Sequence, residues 1–485
     1  MPTPLDLFPL DHLWNQAFTR IVGSPARVGN RLELLRDAAE NYPAWLEGIA
    51  AATGWIHFES YIIHDDVVGR QFADALEAKA RSGVAVRVLY DWWGDRRLRP
   101  NRLWRSLRLA GVDVRCFNPP RPGSPLAWMS RDHRKMIGID GRVAFVTGLC
   151  VGQEWAGDPA RGIEAWRDTG VMIEGPAVAD IESAFFETWA AAGAPLPAHE
   201  IPAVSDPLPG ESVTLRVIAG SPRLASVYRL DQLIAAAAQT SLWLTDAYFV
   251  ATTPYVQALR AAATDGVDVR LLVPSASDIP VLRAVSRAGY RPLLESGVRV
   301  FEWDGPMMHA KTAVADGRWA RVGSTNLNPA SWLGNWELDV AVEDRGFAVA
   351  MERMFENDLT HSTEVVLTAR QRVHKLTGDR PRRRRAAPGS AGRAAAGAIG
   401  IGSAVGAVIS NHRVLGPAEA KVLGAAGTLL LALVVIVLVW PWLVIGPAAL
   451  AGAWIAIATI VRALRIRRRA AARDPARSRD SERMD

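Results

Sequence analysis

The chain has 485 residues, 49% of them hydrophobic, and a formal net charge of +6, enough for several packed units. The charge is uneven: residues 366–485 carry 20 Lys/Arg against 6 Asp/Glu, which leaves 36 against 44 for residues 1–365. An acidic body with a basic tail argues against a surface that embraces nucleic acid, and two cysteines exclude a disulfide framework and point to a reducing compartment.

In chain order, the first 28 residues form an N-terminal arm that packs on the folded body, with no basic segment and apolar core of a cleaved secretory signal. "GWIHFESYII" (54–63) is a β-rich apolar run, followed by a helical stretch in "GRQFADALEAKARSG" (69–83). "VAVRVLYD" (84–91), a helix near "NRLWRSLRLAG" and "VDVRCFNP" come next. The same order returns later in the chain: "TSLWLTDAYFV" (240–250), "PYVQALRAAATDG", "VDVRLLVPS" (267–275), "RPLLESG" and "VRVFEWDG". Alternating strands and helices predict an α/β fold of two tandem repeats, 29–206 and 207–365, with mixed, largely parallel sheets and helices on both faces. The two repeats are expected to pack as one pseudo-twofold body, with the Pro-rich stretch "EIPAVSDPLPGES" (200–212) as the seam.

Each repeat ends in the same pattern. "HRKMIGIDG" (133–141) and "HAKTAVADG" (309–317) each place a lysine two residues after a histidine, then Asp-Gly. The chain keeps only five lysines, and about 0.1 His-x-Lys triplets are expected by chance. On a strand, residues i and i+2 share a face, so His133 points with Lys135 and His309 with Lys311. Asp140-Gly141 and Asp316-Gly317 read as two-residue hairpin turns with a geometric role. That turn sets Lys311 opposite Val322, His309 opposite Ser324 and His133 opposite Gly148. Asn326 then shares a face with Ser324, and Cys150 stands where Asn326 would be in the first repeat. Histidine, lysine and small hydrogen-bonding groups together suit a tetrahedral phosphate. Two such surfaces would flank one phosphorus with two histidines, one attacking and one acting as acid and base. No metal or other cofactor is called for, since there is no Cys/His cluster.

A basic linker (366–394) leads to a membrane-associated region (395–469) and a polar tail (470–485). From Val422 to Val461 there is no charged residue, and 40 helical residues would span about 60 Å, twice a bilayer core. Trp440-Pro441-Trp442 at the centre predicts an α-helical transmembrane hairpin over about 422–463. "RPRRRR" and "RALRIRRR" flank it on the same side, which places the body in the cytoplasm against a bilayer with anionic head groups. The moderately apolar stretch 394–410 would lie along the interface or pack on the hairpin.

The two His-Lys segments resemble the phospholipase D superfamily, whose signature is HxKxxxxD followed by a small-residue and Asn segment. The resemblance covers roughly residues 29–365, including "FESYIIHDD", "GVAVRVLYDWWGD" and "WRDTGVMIEGPAVADIESAFFETW", and within the superfamily it is nearest to bacterial cardiolipin synthases. It implies a phosphohistidine mechanism with His133 as nucleophile and His309 as acid and base. Lys135, Lys311, Ser324, Asn326 and Gly148 would surround the phosphate, with Asp168 and Glu337 orienting the histidines. Glu59 and Tyr61, with Asp246 and Tyr248 as their counterparts, would line the pocket. The implied reaction joins two phosphatidylglycerol molecules and releases glycerol at a bacterial inner membrane; hydrolysis to phosphatidic acid, a nuclease and a non-catalytic scaffold are the alternatives. Two features depart from the family: Cys150 at the usual Asn position, and membrane spans that come after the body.

Overall fold

The computed structural model describes residues 10–95, 102–121, 129–197, 200–222, 224–367 and 373–375, with scattered positions between 428 and 461. It divides into two compact units, residues 1–117 with 130–419 and residues 118–129 with 420–485; both repeats, apart from 118–129, lie in the first.

The N-terminal arm forms α1 (Leu10–Val22), and the first repeat then runs β1 (Arg27–Arg36), α2 (Asp37–Ala51), β2 (Trp55–Ser60), α3 (Val67–Arg81) and β3 (Ala85–Asp91). It continues with α4 (Arg102–Leu109), β4 (Asp113–Phe117), β5 (Met136–Ile139), β6 (Val143–Thr147), α5 (Gln153–Ala156), β7 (Thr169–Glu174) and α6 (Ala177–Ala192). The second repeat opens with β8 (Val213–Gly220), α7 (Ser226–Ala237), β9 (Ser241–Thr245), α8 (Thr253–Thr264), β10 (Asp268–Pro274), α9 (Pro280–Leu294) and β11 (Arg299–Trp303). It closes with β12 (Thr312–Ala315), β13 (Trp319–Gly323), α10 (Pro329–Leu333), β14 (Glu337–Glu343), α11 (Arg345–Leu359), β15 (Ser362–Leu367) and β16 (Val373–Lys375).

These strands form one continuous sheet in the order β16-β15-β11-β10-β9-β12-β13-β14-β8-β1-β7-β6-β5-β2-β3-β4. The order is close to a palindrome about the β8–β1 pair, which is where the two repeats join. The expectation of largely parallel sheets is corrected here. Only β2–β3, β3–β4, β9–β10 and β10–β11 are parallel, and the other eleven ladders among the described residues are antiparallel. The βαβ periodicity is real, but it covers three strands per repeat. Two tight hairpins, β5–β6 and β12–β13, supply part of the remainder, and pairings between strands distant in sequence, such as β1–β7, β2–β5, β9–β12 and β8–β14, supply most of it.

Alternation along the central strands sorts the core onto two faces. Ala144 and Val146 of β6, Ala320 and Val322 of β13, and Leu338 and Val340 of β14 meet the apolar sides of α6 and α11 in a core shared by both repeats. On the other face Phe145 joins α2, α3 and α4, while Trp319 and Ala341 join α7 and α8. The N-terminal arm contributes Phe18 and Val22 of α1 to that second core. Central strands buried on both faces explain their long apolar runs.

The two Asp-Gly turns differ from the expected form by one residue. Asp316 and Gly317 are both left-handed (φ 52° and 60°), and the Arg318 N–H donates to the Ala315 carbonyl at 3.1 Å, as a two-residue turn requires. The ladder, however, resumes as Ala315 with Trp319 and Thr312 with Val322, so Arg318 is an inserted bulge residue. The first repeat does the same, pairing Ile139 with Val143. A one-residue shift reverses the side of the returning strand that faces the lysine, so the expected pairings of Lys311 with Val322, His309 with Ser324 and His133 with Gly148 do not form.

The aspartates brace the preceding strands. Asp316 accepts the backbone N–H groups of Gln239, Thr240 and Ser241, and Asp140 those of Thr53, Gly54 and Trp55. Burial works to raise both carboxyls, but these N–H groups outweigh it and hold them below the usual range. Replacing Asp316 by Ala should lower stability by about 1–2 kcal/mol, trimmed by its partial exposure to water. Because the folded-state pKa is depressed, this contribution is complete above the ordinary carboxylate pKa and vanishes as pH falls through the folded value. Chemical unfolding of wild type and variant at neutral and acidic pH would show the gap closing on acidification; a gap constant with pH would contradict the charge-assisted clamp.

Candidate active site

The functional side chains gather at one end of the sheet. Tyr61 follows β2, His133 and Lys135 precede β5, Gly148 and Cys150 follow β6, and Asp168 precedes β7. In the second repeat His309 and Lys311 precede β12, Ser324 and Asn326 follow β13, and Glu337 opens β14. None of the histidines or lysines lies inside a named strand, yet His133 and Lys135 stay together, with the Lys135 ammonium donating to the His133 carbonyl at 2.6 Å. Lys311 does the same to His309.

Each histidine is held by the opposite repeat. His133 Nδ1 lies 2.9 Å from Glu337 Oε2, and His309 Nδ1 lies 2.6 Å from Asp168 Oδ2. The backbone repeats this crossing. His133 N–H donates to the Trp336 carbonyl and Trp336 N–H to the Arg131 carbonyl, beside Glu337. His309 N–H donates to the Arg167 carbonyl and Arg167 N–H to the Met307 carbonyl, beside Asp168. At His133 the carboxylate can only accept, so Nδ1 carries the proton and Nε2 keeps its lone pair; His309 Nδ1 lies between Asp168 and the Lys311 ammonium, 2.9 Å away.

Both carboxylates are themselves supported. Ser324 donates its hydroxyl to Glu337 Oε2 at 2.6 Å, and the Asn335 amide reaches Oε1 at 3.2 Å. Asp168 accepts the Thr169 N–H, while its own N–H goes to Asp37, and Arg167 joins Asp37 to Asp358. Gly148 stands against Asp168: a Cβ there would lie 2.2 Å from Oδ1. Ser324 and Gly148 are therefore placed beside the orienting carboxylates, at corresponding positions in the two repeats, and do not face the pocket. The bulge accounts for the difference from expectation.

One open pocket contains both histidines. Tyr61 packs edge-on against His133 with ring centroids 5.0 Å apart, and Tyr248 against His309 at 6.0 Å. Cys150 and Asn326 both line it, as do Ile62, Val250, Ile279 and Leu282 on an apolar side. Glu59 does not. Strand alternation turns it to the helix side of β2, where it accepts the Thr188 hydroxyl of α6. Nor is Asp246 its counterpart: Glu59 pairs with Met136 and Thr245 with Thr312, so Glu59 corresponds to Thr245. Asp246 is buried and accepts the N–H groups of Leu327 and Tyr248.

Several pocket residues carry no signal in the His-Lys pattern. Trp155 and Trp166 enclose His309, with centroids 5.6 and 5.5 Å away, and Arg131 lines the His133 side. Arg131 sits two residues before His133, while Trp155 lies in α5 and Trp166 in the loop before β7, and local spacing marks none of the three as pocket residues.

Burial sets the electrostatics. It pushes His133 down to about 4, against the pull of Glu337 and with the help of Lys135. It also lowers His309 to about 4, with Lys311 adding to the shift against Asp168. Lys311 falls to about 8 through burial, with Asp168 pulling the other way. For Glu337 and Asp168 burial works upward, but the facing histidines and lysines outweigh it and keep both ionised. At neutral pH the site thus holds two neutral imidazoles, each beside an ionised carboxylate.

A family profile described as "Cardiolipin synthase, PLD-like domain" matches residues 46–189 and 230–359. The chain belongs to this family. It is 34% identical over 360 residues to Cardiolipin synthase A of Pseudomonas fluorescens, covering 72% of this chain and 73% of that protein. It is 31% identical over 351 residues to Cardiolipin synthase of Halalkalibacterium halodurans, covering 71% and 69%. The crystal structure of phosphatidylserine synthase from Haemophilus influenzae shares the fold, with a TM-score of 0.57, 16% identity and coverage of 72% and 91%. As in the family signature, both HxKxxxxD segments are intact here, and the chain is a phospholipase D-type phosphatidyltransferase acting on phospholipid.

The titration of these groups makes a pH profile informative. An attacking imidazole must be neutral, so kcat/KM should fall on the acid side only near 4. A steady-state profile with an acid limb at the ordinary imidazole value of 6.5 would contradict the burial argument.

Proposed function

We propose that the chain is a cardiolipin synthase that joins two phosphatidylglycerol molecules through a phosphohistidine. The observation that carries this reading is the pair of histidines in one pocket, each on a carboxylate from the opposite repeat, in a chain of this family. His133 Nε2 attacks the donor phosphorus, a P–N bond forms and the P–O bond to glycerol breaks. His309, protonated when the anionic diester binds beside it, gives its proton to the leaving glycerol oxygen. The hydroxyl of a second phosphatidylglycerol then enters, His309 takes its proton, and the new P–O bond forms as the P–N bond breaks. Lys135 and Lys311 balance the charge on the equatorial oxygens, and Asn326, in the same pocket, supplies an amide donor. His133 is assigned as nucleophile and His309 as acid and base from the family pattern.

The body is proposed to work in the cytoplasm at a bacterial inner membrane, held by the hairpin over 422–463. That segment lies outside the described residues except for scattered positions, and among the described residues no helix is long and apolar enough to cross a membrane. Support comes from the 40 uncharged residues and their arginine-rich flanks.

The test supplies labelled phosphatidylglycerol to membranes holding wild type or His309→Ala and resolves products by mass spectrometry. Cardiolipin with an equivalent of free glycerol, reduced at least about a thousandfold in the variant, is the expected result. Phosphatidic acid alone would make the chain a hydrolase. No turnover of any phospholipid would sink the catalytic reading.

A further inference from the structure

Among the described residues five arginines are buried: Arg131, Arg134, Arg167, Arg216 and Arg321. A buried guanidinium is costly unless an anion compensates it. Four of the five have one: Arg134 reaches Glu187, Arg167 Asp358, Arg216 Glu343 and Arg321 Asp339. Arg131, 8% exposed, forms no ion pair with any described carboxylate. Its neighbours are aromatic: the guanidinium lies over Trp93, 5.0 Å from the ring centre, and Tyr61 lines the same pocket.

The nearby acids are committed elsewhere. Asp91 accepts the backbone N–H groups of Trp93, Gly94 and Asp132. Asp132 accepts the Arg134 N–H and faces Glu59. Arg131 itself is fixed, because its carbonyl accepts the Trp336 N–H at the repeat crossing. It opens into the same pocket as His133 and His309, on the Tyr61 side of His133. The lysines stand beside the histidines and serve the reacting phosphorus, which leaves Arg131 as a separate cation at the pocket wall.

We infer that Arg131 binds the phosphodiester of the acceptor lipid and so selects an acceptor that carries its own phosphate. The inference rests on the phosphatidyl-transfer reading and deepens it. Transfer to a second phosphatidylglycerol brings a second anion into the pocket, distinct from the one being transferred. A planar fork with paired N–H donors suits two non-bridging oxygens of a diester, and the ring of Trp93 beneath it holds the plane. Water and simple alcohols lack that anion and gain nothing from the guanidinium. The residue therefore acts on the choice between lipid acceptor and small acceptor, not on attack at phosphorus.

The experiment offers wild type, Arg131→Gln and Arg131→Lys a labelled phosphatidylglycerol donor with ethanol present, and measures cardiolipin against phosphatidylethanol. The ratio is insensitive to the fraction of protein folded. It should fall at least about tenfold in Arg131→Gln, by loss of a charge-assisted contact, and by less in Arg131→Lys. An unchanged ratio in Arg131→Gln overturns the inference. If Arg131→Gln yields neither product, the lysine variant decides: a lowered ratio supports the role and a wild-type ratio overturns it. Wild type that forms phosphatidic acid alone would instead overturn the transfer reading beneath it.

Discussion

The site depends on one constraint: each histidine is positioned by the repeat to which it does not belong. Two short backbone bridges, Arg131–His133 with Trp336 and Met307–His309 with Arg167, bring Glu337 under His133 and Asp168 under His309. Neither repeat alone could fix the tautomer of its own imidazole. The continuous sheet through β1 and β8 holds the two repeats in the register that this exchange requires. Arg134 adds a third crossing, donating to the carbonyls of Glu337 and Gly220 on one side and of Ala184 on the other.

The same crossing settles the electrostatics. Burying two imidazoles and two ammonium groups around one pocket is unfavourable, and the lowered values of His133, His309 and Lys311 record that cost. The ionised carboxylates offset part of it. An incoming phosphodiester offsets more, so affinity for the anion and the ability to shift a proton onto one imidazole come from one arrangement. One side of the pocket, with Val250, Ile279 and Leu282, is apolar.

The two repeats match in architecture and differ in detail. Where Ser324 hydrogen-bonds Glu337, Gly148 leaves room for Asp168, and where Asn326 lines one side, Cys150 lines the other. Burial raises the Cys150 thiol, so it contributes neither charge nor a strong donor. One half of the phosphate surroundings is thereby weaker in hydrogen bonds, and two tryptophans enclose only His309.

The sequence by itself determined the chemistry-bearing residues, because covalent spacing is local. His-x-Lys-x4-Asp-Gly keeps histidine with lysine and puts a left-handed pair at the turn whatever surrounds it. It also determined the duplication and the βαβ segments, whose apolar periodicity needs no partner to be read. Only the tertiary structure decided what long-range pairing controls. A single inserted residue after each turn moved Ser324 and Gly148 to the carboxylates, and strand parity carried Glu59 behind the sheet. Antiparallel pairing of strands distant in sequence, with two hairpins, made the sheet mainly antiparallel. Arg131 became visible as a pocket cation only once the buried arginines could be compared with their partners, since an ion pair between distant segments leaves no mark on local spacing.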